Sequence, residues 1–357
     1  MNIPKKSIGW GFGRCNMNCR QCYNSSGNIS PEYDLSILKK IADQICPNTD
    51  SINIGTGECG FNANTDVLMM YIKEHYPEVK ISLTTNGATT MLLGREKTKQ
   101  IFHDIDFSID FPSPDRHNDF RNHPLAWEWV MKGLKLCHEE NIDSSIVTCV
   151  TGLTSDSDIL EFIDIAKKYK CSWRVNWFRP TGRGKQDYEL KLTAKRAWEV
   201  LKIIADNAHI EALSDPLFEA ILGIDHTGYN GCACGKDSCR IQPDLEVTPC
   251  VFLKGKAWSG GSIQEYGLEQ IFESDIFQRF RSRLPSFCEK CDFCKKCMGG
   301  CASRAILYRG SANEPDEFCP IVNNLPMEEI QHMKVTIIKG QEKKVHDGYL
   351  CTLIARP

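Results

Sequence analysis

Nineteen of the 357 residues are cysteine, and where they fall constrains this chain more than any other feature. Eight of them (Cys232, Cys234, Cys239, Cys250, Cys288, Cys291, Cys294, Cys297) precede Cys301 and Cys319 in one short C-terminal stretch. Cys15, Cys19 and Cys22 form a separate C-x3-C-x2-C near the start. Disulfide scaffolds of such density are small exported domains that cannot build a sufficient core. This chain is long enough to bury one. Residues 1–7 hold two lysines with no apolar stretch behind them, so no secretory signal is expected. A cytoplasmic location follows, and clustered thiols in a reducing compartment point to metal.

Two partner classes are set aside by the same reading. The formal net charge is −3, which makes no electrostatic case for nucleic acid or an acidic membrane. No run of about 18 apolar residues is present, so no membrane-spanning helix is expected.

The first half alternates β-rich runs with helical periodicity. Strands are expected at residues 7–12, 51–55, 80–85, 105–110, 144–150 and 172–178. Leu38, Ile41, Ala42 and Ile45 recur at i, i+3, i+4 and i+7, one face of a helix. Val130, Leu134 and Cys137 share a face of another, which Pro124 is expected to open. Such α/β alternation implies a parallel sheet with helices outside, as an open sheet or a barrel. Two further helices are expected over 192–208 and 216–222. At Gly228 the texture turns to Gly, Cys, Pro and Asp. Domains are therefore expected over residues 1–227 and 228–324. A tail over 325–357 should hold β-like pieces at 335–338 and 349–355 around a charged loop at 340–347.

The N-terminal triad follows the first expected strand. Three thiolates on one loop can hold three irons of a cubane and leave the fourth open to a cofactor or substrate. On spacing alone, zinc with a fourth ligand from elsewhere is the alternative.

The order of later motifs resembles the radical S-adenosylmethionine (SAM) superfamily. Cys15 to Tyr23 read CNMNCRQCY, and the second strand ends in Gly55-Thr56-Gly57-Glu58, with Cys59 where the family usually has proline. Thr85-Asn86-Gly87 ends the third strand, and Ser108-Ile109-Asp110 the fourth. Arg121 resembles the arginine of an H-D-x-x-R-G segment, and Pro180 with Gly182 a P-x-G. Gln21 stands where many relatives have an aromatic residue. The resemblance implies a partial (β/α)6 TIM-like barrel whose open iron chelates SAM, which one electron cleaves to a 5′-deoxyadenosyl radical. Gly55, Thr56, Gly57, Glu58, Asn86, Ser108, Asp110 and Arg121 would then line the cofactor site. Cys59, beside that motif, is a candidate catalytic hydrogen donor as well as a packing residue.

Cys288-x2-Cys291-x5-Cys297-x3-Cys301, followed by Cys319, resembles the SPASM extensions of that superfamily, which carry auxiliary [4Fe–4S] clusters. The upstream segment from Cys232 to Cys250 resembles their entry motif, with Leu245 in place of a glycine, so a different hairpin turn is expected there. By that resemblance one cluster uses Cys250, Cys301, Cys239 and either Cys232 or Cys234. The other uses Cys288, Cys291, Cys297 and Cys319, and Cys294 is left as a spare thiol. Zinc ribbons also use C-x2-C pairs. Cys46, Cys137, Cys149, Cys171 and Cys351 read as small buried hydrophobes.

SPASM relatives mostly modify ribosomal peptides or proteins by crosslinking, epimerisation or oxidation. An anaerobic, peptide-modifying oxidoreductase is therefore expected, supplied by an electron donor such as flavodoxin or ferredoxin. Val251 stands where sulfatase-oxidising relatives have an aspartate base, which counts against that reaction. Only 14 residues precede Cys15, so a separate peptide-binding protein is expected to supply the grip that some relatives carry at their N-terminus. The alternatives are oxidation or epimerisation of a small sugar or aminocyclitol, and a non-catalytic iron–sulfur electron carrier.

Overall fold

Alternation along the strands explains the architecture. The computed structural model describes residues 6–225, 228–338 and 352–357. Six parallel strands, β1 (Lys6–Gly11), β2 (Thr49–Gly55), β3 (Lys80–Thr85), β4 (Asp104–Ser108), β5 (Asp143–Val150) and β6 (Ser172–Trp177), pair in consecutive order. Ile8, Ile52, Ile54, Ile81, Leu83, Ile105, Phe107, Ile146, Trp173 and Val175 face outward into the core under the helices. The intervening Gly9, Asn53, Thr84, Asp106, Val147, Arg174 and Asn176 line an interior cavity. Successive side chains of a strand point to opposite faces, so this period of two separates an apolar outer face from a polar inner one. Because the strand order never reverses, residues of β1 and β6 line the same cavity, which is a partial barrel and not a doubly wound sheet.

The covering helices are α1 (Leu35–Ile45), α2 (Thr65–His75), α3 (Ala88–Ile101), α4 (Pro114–Arg121), α5 (Ala126–Glu140) and α6 (Asp156–Tyr169). In α1 the buried set is Leu38, Ile41, Ala42 and Ile45, as the period requires. Each large aliphatic there contributes about 1.5–3 kcal/mol of burial. The α5 helix opens at Ala126, not at Pro124, because α4 and its left-handed Asn122 cap come first. Ser155 and Asp158 form a capping box that starts α6.

The helices expected over 192–208 and 216–222 are α7 (Ala194–Asn207) and α8 (Pro216–Leu222). The sheet continues beyond the six strands. β7 (His209–Leu213), β8 (Ser238–Ile241), β9 (Val247–Thr248) and β10 (Thr352–Arg356) complete the order β7-β10-β6-β5-β4-β3-β2-β1-β8-β9. β8 runs parallel to β1, so one sheet crosses the boundary expected at residue 228. β10 is not peripheral, since it lies antiparallel between β6 and β7. The piece expected at 335–338 bridges Ile337 to Ile210. The charged loop at 340–347 and residues 349–351 lie outside the described residues. Among the described residues no helix is long and apolar enough to cross a membrane.

Candidate functional site

The cysteine loop leaves β1 at Gly11 and folds over the C-terminal ends of the strands, where barrel active sites form. Its backbone is tied to the loop after β2. Phe12 N and Gly13 N donate to Thr56 O (3.2 and 2.7 Å), and Glu58 N donates to Arg14 O (2.8 Å). This approach demands Gly57, which lies at φ 94°, where a Cβ would sit 2.5 Å from Arg14 O. Pro180 to Gly182 buttress the other side. Gly182, at φ 61°, would place a Cβ 2.3 Å from Cys22 O. Arg183 donates from its backbone N to Cys22 O, from Nη1 to Cys19 O and from Nη2 to Ser26 O (2.9, 2.7 and 2.7 Å).

Cys15, Cys19 and Cys22 pack together with Met17, Ala126 and Trp129, and all three line the interior cavity of about 200 Å³. Gly55, Thr56, Gly57, Glu58, Asn86, Ser108, Asp110 and Arg121 line the same cavity. Burial, then the charge of Glu58, pushes the Cys15 thiol up to about 12. Ionising such a thiol calls for a bound cation. Three thiols converging on one cavity fit a cubane with an open iron.

Each surrounding polar group has a defined task. Glu58 is buried, and its oxygens are occupied by the β3–α3 turn. Asn86 N and Thr89 N donate to it (2.8 and 2.9 Å), and so do the hydroxyls of Thr85 and Thr89. Glu58 thus fixes the T-N-G turn from beneath, and burial holds its pKa up despite those bonds. Asn86 caps the turn through Ala88 N (3.0 Å) and reaches Asn16 Oδ1 (2.9 Å) and Cys15 Sγ (3.9 Å). Asp110 is a knot. It accepts from Gln21 Nε2 (2.6 Å), Arg121 Nε (2.7 Å) and Cys149 N (3.0 Å). Gln21 thus supplies a polar tie where an aromatic residue was the family expectation. Arg121 Nη1 reaches Cys19 Sγ at 3.9 Å, and although burial opposes its charge, Asp110 and Cys19 hold it protonated. His117 Nδ1 accepts from Asp110 N (3.1 Å), and burial keeps this imidazole neutral.

The place expected for Cys59 is corrected. Its side chain is buried in the outer apolar core beside Thr89 Oγ1 (3.7 Å) and does not line the cavity. It opens the short turn Cys59–Phe61, which sets it in that core. Cys149, read as packing, does line the cavity.

The C-terminal cysteines gather into two groups. Cys234 hydrogen-bonds with Cys232 and Cys250, and Cys250 feels the charge of Cys301. Cys239 is placed by its strand. It lies on β8 opposite Ile8 and is buried in the outer core, whereas its neighbour Arg240 lines the cavity. Cys288, Cys291, Cys297 and Cys319 line a second, apolar cavity together with Cys294. Cys297 and Cys301, four residues apart, serve different groups, which binds the two into one unit. Leu245 lies at φ 66° and is buried, a glycine-like backbone conformation. Leucine adopts the glycine-like conformation at about 1–2 kcal/mol. No cysteine among the described residues forms a disulfide.

Arg179 links the cavity to the first of these groups. Its Nη2 donates to Cys301 Sγ (3.2 Å), its Nε to Ser303 Oγ (2.9 Å), and its guanidinium lies 4.3 Å from the centre of the Phe252 ring. The inner face also carries Arg174, which pairs with Asp106 at 2.9 Å, and Arg240, which crosses Gly9. Sequence reasoning missed these arginines. The alternation W-R-V-N-W in β6 was the available signal, since only an inward position would put arginine between such neighbours.

The family profile of the Radical SAM superfamily matches residues 11–166, and that of an iron–sulfur cluster-binding domain, SPASM, matches residues 232–298. Over 85% of its length the chain is 24% identical to 80% of the mycofactocin maturase MftC of Mycolicibacterium smegmatis. It is also 24% identical to the AdoMet-dependent heme synthase of Methanosarcina barkeri, over 89% of this chain and 97% of that protein. The fold matches that of anSMEcpe solved with bound AdoMet and Cp18Cys peptide, with a TM-score of 0.70 at 20% identity over 92% of this chain and 96% of that one. The chain is an enzyme of the radical SAM superfamily, in its SPASM subgroup, and its cofactors are [4Fe–4S] clusters and SAM.

Proposed function

We propose that this chain takes hydrogen from a residue of a ribosomally made peptide or protein and thereby crosslinks, epimerises or oxidises it. One observation carries the reading. A single cavity has the Cys15–Cys19–Cys22 loop on one side and, through Arg179, the Cys301 thiol group on the other. A [4Fe–4S] cluster and SAM held at the triad would supply radical hydrogen-abstraction chemistry there. Cys15, Cys19 and Cys22 are the residues to hold that cluster. Gly55, Thr56, Gly57, Asn86, Ser108, Asp110 and Arg121 are those to hold SAM, with Glu58 positioning the turn that presents Asn86. Residues 1–227 with β10 form the barrel in this reading, and residues 228–324 the auxiliary domain.

Likeness to mycofactocin maturase supports a peptide substrate. Val251 lines the cavity where a carboxylate base would otherwise stand, which supports a reaction other than serine or cysteine oxidation. A flavodoxin- or ferredoxin-type donor and a separate peptide-binding protein complete the system. The buried, reduced thiols suit a reducing cytoplasm. A second reading, a non-peptide substrate, draws on the likeness to heme synthase.

The test is anaerobic reconstitution followed by a SAM-cleavage assay in dithionite, with short peptides encoded beside the gene as candidates. Three cubanes give about twelve irons. Formation of 5′-deoxyadenosine that is lost on Cys15→Ala, Cys19→Ala and Cys22→Ala is expected, with deuterium passing from a labelled peptide into it. Deuterium transfer from a porphyrin and from no peptide would favour the second reading. Absence of 5′-deoxyadenosine would sink both.

A further inference from the structure

The second auxiliary site holds one thiol more than a cubane needs. Cys288, Cys291, Cys294 and Cys297 recur at every third residue. Cys291 N donates to Cys288 O (3.0 Å) and Cys294 N to Cys291 O (2.9 Å), so the backbone advances in i→i+3 turns. In such turns side chains three apart lie over one another on one face. All four thiols therefore reach one cavity, and Cys319 closes it from the facing loop. A [4Fe–4S] cluster takes four thiolates. Cys288 and Cys297 are buried, whereas Cys291, Cys294 and Cys319 are half-buried. Cys291 and Cys294 are successive thiols of one run of i→i+3 turns, on one face.

We propose that Cys294 is a ligand-competent fifth thiol of this site, able to replace Cys291 on the cluster. The exchange moves no electrons. The iron–sulfur bond to Cys291 breaks and its sulfur takes up a proton, while Cys294 gives up its proton and forms the new bond. The site thus keeps its cluster when either thiol is alkylated, oxidised or displaced. The inference depends on the chain's cluster chemistry and not on its substrate, so a failed peptide assay leaves it untouched.

The experiment uses the full chain, reconstituted anaerobically, with iron and sulfide counts and EPR of the dithionite-reduced protein. From about twelve irons in three cubanes, Cys291→Ala and Cys294→Ala should each stay within about one. The double variant should lose about four irons and one EPR component. Loss of those irons in Cys291→Ala alone, or their retention in the double variant, overturns the proposal. A second measurement does not depend on the double variant folding. In Cys291→Ala, iodoacetamide should label Cys294 only after the cluster is stripped by chelator. Equal labelling before and after refutes the exchange.

Discussion

Replacing Arg304 with leucine should cost about 3–5 kcal/mol, because it leaves two carboxylates buried without their cation. Arg304 is wholly buried on the helix Ala302–Arg309. Its Nη2 donates to Asp215 Oδ1 (2.9 Å) and Asp316 Oδ2 (2.6 Å), and its Nε to Asp316 Oδ1 (2.8 Å). Both acids have structural tasks. Asp215 caps α8 through Leu217 N (3.1 Å), and Asp316 accepts from Cys301 N (2.6 Å) and Phe318 N (3.0 Å). Burial already pushes the Asp215 carboxyl up, and Arg304 is what pulls it back. Against a total stability of about 5–15 kcal/mol, the loss is severe. It should also loosen Cys301 and lower the iron content of the auxiliary domain. In the variant Asp215 should titrate above its unfolded value. Its contribution to stability is then full below that value and lost as pH rises through the folded one. Urea unfolding under anaerobic conditions should therefore show a deficit that is large near neutrality and shrinks toward about pH 5. A deficit under about 1 kcal/mol at neutral pH, or one that grows in acid, would refute this account of the ion-pair cluster.

Three further outcomes follow from the site. Glu58→Gln should cost about 1–3 kcal/mol, since its amide turns a donor toward the N–H groups that Glu58 accepts from. The raised pKa of Glu58 makes its own contribution full in acid and weaker as pH rises through the folded value. The gap between the two proteins in urea midpoint should accordingly narrow from acid to neutral pH, and a widening gap would contradict it. Gly182→Ala drives a Cβ against Cys22 O and adds about 1–2 kcal/mol of left-handed strain. It should lower iron at the triad and 5′-deoxyadenosine with it, which metal analysis and chromatography read together. Cys239→Ala should keep its irons and lose about 1 kcal/mol from the core, whereas Cys250→Ala should lose about four irons. Equal iron loss in both would restore Cys239 to the ligand set.

Local sequence determined most of the barrel. The six strands and the apolar face of α1 were legible because side-chain period and backbone geometry are coupled within a few residues. The motifs at Gly57, Asn86 and Asp110 were legible for a related reason, as each sits at a strand end whose position the pattern already fixes. Only the tertiary structure decided matters that depend on partners far along the chain. β10 inserts between β6 and β7, more than 100 residues earlier, and nothing in residues 352–356 names those neighbours. Cys59 and Cys239 have the right residue type beside the right motifs, yet each points to the outer core because of its strand or turn phase. Arg174, Arg179 and Arg240 read as ordinary charges until curling of the sheet turns them onto one cavity. A residue's own neighbours set which way it points, but only closure of the sheet sets what it then meets.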